Sequence, residues 1–371
     1  MICCEKCFID IELVGIIKSI GNKGHCSICD QRNSEVYVYD TDKDDELSTY
    51  LTEFISIFLP VSMMSDFSES KMLKCKLLRT EVRENWGIFK DKTDEQINMI
   101  LATICKEKYV ENPQLFNEVV GLPKYFSGND LEKHSLLKTA DWETFVDSLI
   151  KRNRFHTKYF NVKLFEELFS FIRKEHVAEK SGYFYRCRIA NNPRGFKKSE
   201  MSAPPFDKAK AGRISAEGIP CLYLGDSLET VIAETRPRAS DYITIGKFKL
   251  KKDILVVDLK GIKQVSPFIG KDLHAKVYAY NKPTLNKIDE ELGKPMRTND
   301  SDLDYIPAQF IADFIKNIER NGQPEYSGVE YSSVMRKNGY NLAVFDPYLF
   351  ECVDTKTYKI GELEYKKEEC I

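Results

Sequence analysis

YFYRCRIANNPRGFKKSEMSAPPFDKAKAGRISAEGIPCLYLGDSLETVIAETRP, residues Tyr183–Pro237, sets the architecture of this chain. FYRCRI alternates like a strand, and PCLYLG is a short apolar run. DSLETVIAETRP carries Asp226 and Glu229 at capping-box spacing and stops at Pro237, which predicts a short helix. Working outward, YITIGKFKL and ILVVDL extend the strand pattern. PAQFIADFIKNIERNG predicts a helix from Pro307 to the Asn321-Gly322 pair. GVEYSS and NLAVF add two more strands. Strands and helices mix without a regular βα alternation, so this half is α+β. The stretch also gathers arginines, a tyrosine and one glutamate, and YSGVEYSS (Tyr326–Ser333) adds small hydroxyls after a glycine. That set suits gripping a diphosphate and stabilising a positive charge beside it.

The remaining composition bounds the class. With 371 residues, 42% hydrophobic and 30% charged, the chain is long enough for two or three packed domains. A formal net charge of -2 argues against nucleic-acid binding by bulk charge, though a local basic face remains open. The longest greasy stretch, Phe54–Met64, is broken by Ser56, Pro60 and Ser62, so no membrane span is expected. MICCEKCFID lacks the apolar core of a secretion signal. With eleven cysteines, the expectation is a reducing cytoplasm where thiols bind metal or pack in cores.

Before residue 183 lie two textures. Residues 1–40 carry Cys4-x-x-Cys7 and Cys26-x-x-Cys29, with eighteen residues between the pairs. Two such knuckles fit one tetrahedral Zn²⁺ on four thiolates, a structural site with no open position. Cys3 is an alternative to Cys4, His25 adjoins the second pair, and free thiols in a loose terminus are the plain alternative. A module of this kind touches nucleic acid or protein, without the sequence choosing between them. After an acidic linker at Asp40–Glu46, residues 47–179 read as helical. Thr93 and Gln96 open one helix as a capping box, Asp141 caps another, and VKLFEELFSFIRKEHV (Val162–Val177) reads as a third.

Residues 183–350 resemble a RES domain, the family named for its Arg, Glu and Ser. The resemblance rests on YRCR, the AGRISAEGIPCLYLGDSLETVIAETRP block, IPAQFIADFI, and GVEYSS followed by NLAVFDP. Residues 47–179 resemble the helical HEPN-like segment found ahead of some RES domains, and 351–371 are left as a C-terminal extension. The resemblance implies a fold like that of ADP-ribosyltransferases and a toxin that degrades NAD⁺. By position it implies catalytic Arg186, Tyr223, Glu234 and Ser333, with Arg213, Arg188, Gln309 and Ser332 binding substrate. Arg188 shares the strand face of Arg186. Ser332 adjoins Ser333 and points the other way if the segment is a strand. The family often has an aromatic residue after its GR; Ile214 and Ser215 stand there in this chain. An antitoxin partner, or restraint by the chain's own amino-terminal half in a stress or phage-defence effector, is also implied.

Elementary chemistry supports these roles. Cleaving the nicotinamide–ribose bond passes through an oxocarbenium-like state, which a carboxylate such as Glu234 stabilises. The planar fork of arginine matches a pyrophosphate. Water and phosphate are both open as acceptor, so the enzyme is a glycohydrolase or a phosphorylase. Two other readings stay in play: an ADP-ribosyltransferase acting on a protein or nucleic acid, and a non-enzymatic zinc-ribbon interaction protein. Ribonuclease chemistry is disfavoured, because RNRFH (Arg152–His156) and RKEH (Arg173–His176) space their Arg and His too tightly.

Overall fold

The computed structural model describes residues 1–29, 35–64, 75–123, 128–138, 140–268, 275–294 and 301–361. The end of the expected C-terminal extension, 362–371, and part of the 1–40 module, 30–34, lie outside them. The chain divides into two compact units, Met1–Ser135 with Gln264–Lys282, and Leu136–Lys263 with Pro283–Ile371.

In the first unit, helices are accompanied by two small three-stranded sheets. Asp10 caps helix Ile11–Ile20 through the N–H groups of Glu12 and Leu13, and Gly21 at φ 80° closes it in the left-handed conformation that glycine adopts freely. Thr93 and Gln96 form the expected capping box on helix Asp94–Ile104. Phe54, Phe58 and Trp86 pack edge to face, and the returning segment adds Phe268 against Phe54 and Tyr278 against Trp86. Among the described residues, no helix is long and apolar enough to cross a membrane.

The second unit is built on one eight-stranded sheet. In chain order its strands are β1 (Arg173–His176), β2 (Phe184–Ala190), β3 (Leu222–Gly225), β4 (Tyr242–Leu250), β5 (Ile254–Asp258), β6 (Gly328–Ser332), β7 (Tyr340–Val344) and β8 (Phe350–Lys359). Their order across the sheet is β8-β4-β2-β3-β7-β6-β5-β1. β5 and β6 pair in parallel, and the other neighbours are antiparallel. The helices are α1 (Trp142–Lys151), α2 (Val162–Phe171), α3 (Leu228–Thr235), the part of α4 (Ala275–Gly293) from Pro283 onward, and α5 (Ile306–Lys316). Asp141 caps α1 through the Thr144 N–H, as the sequence predicts. Phe145 of α1 and Phe165 of α2, together with Phe160, pack against Phe310 and Phe314 of α5. Helices that the sequence groups with the amino-terminal helical segment thus belong to the core of this unit. β8 pairs along the whole of β4, so residues 351–359, placed by sequence in an extension, belong to the sheet.

Three local expectations change. The helix predicted over Val162–Val177 stops at Phe171, and Arg173–His176 form β1. Alternation explains the switch: Lys174 and His176 point together at buried Glu330, which a helix could not arrange. Helix α5 ends at Lys316 rather than at Asn321-Gly322. That pair, at φ 55° and 72°, makes the two-residue turn joining Glu319–Arg320 to Gln323–Pro324. The cap of α3 is Ser227, which accepts from the Thr230 N–H, while Asp226 accepts from the Tyr340 N–H.

Register separates the sheet into two faces, because opposed residues share a face and neighbours along a strand alternate. Tyr185, Gly225, Asn341 and Tyr331 form one row across β2, β3, β7 and β6. Helix α3 lies over this row: a Cβ on Gly225 would meet Val231 Cγ1 at 2.6 Å. The opposite face carries the apolar core of Phe184, Leu222, Leu224, Phe248, Leu342 and Val344, covered by Met201.

Candidate active site and cysteine cluster

Glu234 occupies the last turn of α3, just before Arg236 turns left-handed at φ 51°. A carboxylate there opposes the negative end of the helix dipole. It is held by donors from elsewhere in the chain. Ser333 Oγ donates to Glu234 Oε1 at 2.6 Å, and Asn341 Nδ2 donates to the same oxygen at 2.9 Å. Ser333 is itself fixed, because its Oγ accepts from the Met335 and Arg336 N–H groups, so its proton points at the carboxylate. Both side-chain bonds land on Oε1, which leaves Oε2 for a ligand. Ser333 is buried and Ser332 is exposed, as strand alternation predicts.

Tyr331, in the row of Asn341, is buried beside this carboxylate. Burial first, then Tyr223, push its hydroxyl well above the ordinary tyrosine range. Arg213 faces its ring, with the guanidinium carbon 5.9 Å from the centroid. The Arg213 Nη1 and Nη2 donate to the carbonyls of Leu292 and Lys294, at the C-terminal end of α4, where a cation is favoured. Tyr223 Oη accepts from the Ile214 N–H at 3.3 Å and shares a 2.9 Å bond with Ser215 Oγ. Gln309 Nε2 donates to the carbonyls of Gly212 and Ser215 at 2.7 and 3.2 Å. Gly212 is required: a Cβ there would lie 2.7 Å from the Tyr223 hydroxyl. Tyr223 and Gln309 therefore shape the loop that presents Arg213.

The structure brings Glu234, Ser333, Tyr223, Arg213 and Gln309 to one face of the sheet. It does not bring Arg186 and Arg188 there. Both stand in the row of Phe184 on the opposite face. Arg186 Nη1 donates to the carbonyls of Met201 and Ser202, and burial holds its guanidinium down at about 10. Arg188 donates to the Glu200 carbonyl and stacks 3.9 Å from the Phe196 ring centroid. The two arginines lie on one strand face, as expected, and tie down the 196–202 loop. Sequence reasoning missed Asn341 and Tyr331. The signal was a polar residue inside the apolar run NLAVF, and an aromatic one residue before the serine pair.

Behind the site, the same strand β6 buries Glu330 on the core face. Lys174 Nζ reaches its Oε2 at 2.9 Å, His176 Nε2 reaches Oε1 at 2.7 Å, and Lys260 Nζ joins Oε2. Burial alone would raise the carboxyl, but His176, Lys260 and Lys174 outweigh it and hold it at about 2.

In the first unit, the Sγ atoms of Cys4, Cys7, Cys26 and Cys29 all lie within 4.8 Å of one another. Cys4–Cys29, Cys7–Cys26 and Cys4–Cys7 are 3.5, 3.6 and 3.9 Å apart. Four thiolates at ~2.3 Å around a tetrahedral Zn²⁺ would stand ~3.8 Å apart. The Ile28 and Cys29 N–H groups donate to Cys26 Sγ, and that thiol is pushed down by bonds from Cys4 and Cys7. The donor set and spacing therefore fit a closed metal site. Cys3, the alternative ligand, is buried outside the cluster.

Residues 184–364 match the RES domain family. The carboxyl-terminal half of this chain is a RES domain. A Bacillus subtilis (strain 168) protein described as "Putative toxin YopC" is 27% identical over 191 residues, 44% of this chain. That match spans 40% of the relative's own length. No solved structure matches.

Proposed function

We propose that the RES domain cleaves NAD⁺ at the nicotinamide–ribose bond and acts as a toxin or defence effector. One observation carries the reading: Glu234 is clamped by Ser333 and Asn341 through a single oxygen, and the buried Tyr331 beside it is the ring that Arg213 faces. The clamp fixes the carboxylate in one orientation and leaves Oε2 to face a sugar. A fixed negative charge there stabilises the oxocarbenium-like ribose as the carbon–nitrogen bond breaks. Nicotinamide departs neutral with the bonding electron pair, so no general acid is needed at the leaving group. Water or phosphate then attacks the anomeric carbon, oriented by Glu234, whose carboxylate takes up the proton that the acceptor gives up. Arg213 retains guanidinium N–H groups beyond its two carbonyl bonds and supplies positive charge for the diphosphate.

The four cysteines would hold a structural Zn²⁺ that staples residues 1–29, and every position on the metal would be filled by sulfur. A toxin needs restraint, and a separate antitoxin or the chain's own first unit would provide it; the description of the Bacillus relative as a toxin supports the premise. The test is incubation of the full chain with NAD⁺ and identification of products by mass. Release of nicotinamide is expected, with ADP-ribose or its 1-phosphate as the second product. Glu234→Gln should abolish the loss of NAD⁺ while keeping the wild-type thermal midpoint; turnover at the wild-type rate in that variant refutes the assignment.

A further inference from the structure

A cavity of about 130 Å³ lies beside the loop that presents Arg213. Its walls include Ile214, Ile219, Pro220, Ile306, Phe310 and Phe345. We propose that this cavity is the subsite for the adenine ring of the dinucleotide, an inference that rests on the NAD⁺ reading above.

Wall chemistry points to a flat ring, which packs best against apolar and aromatic surfaces. Walls of isoleucine, proline and phenylalanine present such a surface here. One polar side chain selects among rings. Gln309 lines the cavity, and its amide orientation is fixed because Nε2 donates to two carbonyls, those of Gly212 and Ser215. Its Oε1 is then the acceptor left for a ligand, and it suits an exocyclic amine. Arg154, Lys316 and Asp313 border the same cavity, and the two cations outnumber the one carboxylate toward a phosphorylated ligand.

Order along the site separates the two rings of the dinucleotide. Ile214 and Ser215 form the cavity wall, and the preceding residue, Arg213, faces Tyr331. Tyr331 is paired across the ladder with Asn341, which holds Glu234. The sequence cavity, guanidinium, carboxylate repeats the order base, diphosphate, scissile ribose. Adenine therefore belongs in the cavity and nicotinamide at the Glu234 end.

The test is titration calorimetry of the full chain with adenosine monophosphate and, separately, with nicotinamide, alongside NAD⁺ kinetics. Adenosine monophosphate should bind and compete with NAD⁺. Ile219→Trp, a substitution on a partly exposed loop, should drive an indole into the cavity. It should remove adenosine monophosphate binding and raise KM for NAD⁺ about tenfold or more with kcat within about twofold, because the lost contact is uniform binding. Failure of adenosine monophosphate to bind the wild-type protein overturns the subsite whether or not the variant folds. So does an Ile219→Trp protein that keeps that affinity, or one that loses nicotinamide binding instead. If adenosine monophosphate binds as expected and NAD⁺ is not consumed, the subsite stands and the reaction is wrong. If NAD⁺ is consumed and adenosine monophosphate does not bind, the reaction stands and the subsite falls.

Discussion

Replacing Glu330 with Gln should destabilise the RES domain by about 3 kcal/mol, because breaking a buried ion pair from one side strands its partners. The figure can be worked from the structure. Glu330 is fully buried, and its carboxyl is held at about 2 against an ordinary value of 4.5. A shift of that size corresponds to about 3 kcal/mol of preferential stabilisation of the charged form. The sign follows from the direction. A depressed carboxyl contributes its full stability above pH 4.5 and loses it as pH falls toward 2. The assay is urea unfolding followed by fluorescence in a Trp86→Phe background, where buried Trp142 of α1 is the remaining tryptophan and reports on the RES unit. At pH 7 the variant should unfold at lower urea, with a thermal midpoint lower by ~6–12 °C. Between pH 4.5 and 2.5 the wild-type protein should lose the stability that the variant already lacks, so the two curves converge. Equal midpoints at pH 7, or parallel pH curves, would refute the claim that the Lys174, His176 and Lys260 cluster anchors β6.

Other perturbations test the rest of the molecule. Asn341→Leu removes one donor to Glu234 while keeping the strand; a charge-assisted bond is worth ~1.5–3 kcal/mol, so kcat for NAD⁺ should fall ~10–100-fold with little change in KM. Removing metal with a chelator, or making Cys26→Ser, should unfold residues 1–29 and release about one Zn²⁺ per chain by metal analysis. Unchanged amide exchange in that segment after chelation would count against a structural zinc.

Much of this arrangement could be read from sequence, and the failures have clear causes. Alternation exposed β2 and β4, whose alternate residues Phe184, Phe248 and Leu250 face the core. The cysteine spacing exposed the cluster because metal geometry tolerates little else. The positions of Glu234 and Ser333 followed from an ordered pattern of residue types. Face assignment did not follow. Period-two alternation puts Arg186 and Arg188 together, but only strand order and register say which side of the sheet Glu234 occupies. The boundary of the helical region was hidden for a similar reason: α1 and α2 have ordinary amphipathic stripes, and nothing local states that Phe310 and Phe314 fill them. Glu330 is a charge inside a buried strand, and its three partners lie in β1 and just after β5, far along the chain.

The chain is threaded through its two units, passing between them at Ser135–Leu136, Lys263–Gln264 and Lys282–Pro283. No single cut yields two intact halves. A fragment beginning near residue 180 would lack α1, α2 and β1, and would carry Phe268 and Tyr278 away from the rings of Phe54 and Trp86. Silence of such a truncated piece in a growth assay would therefore report a broken scaffold, and whether the amino-terminal portion bridles the RES domain has to be asked with point substitutions in the uncut polypeptide.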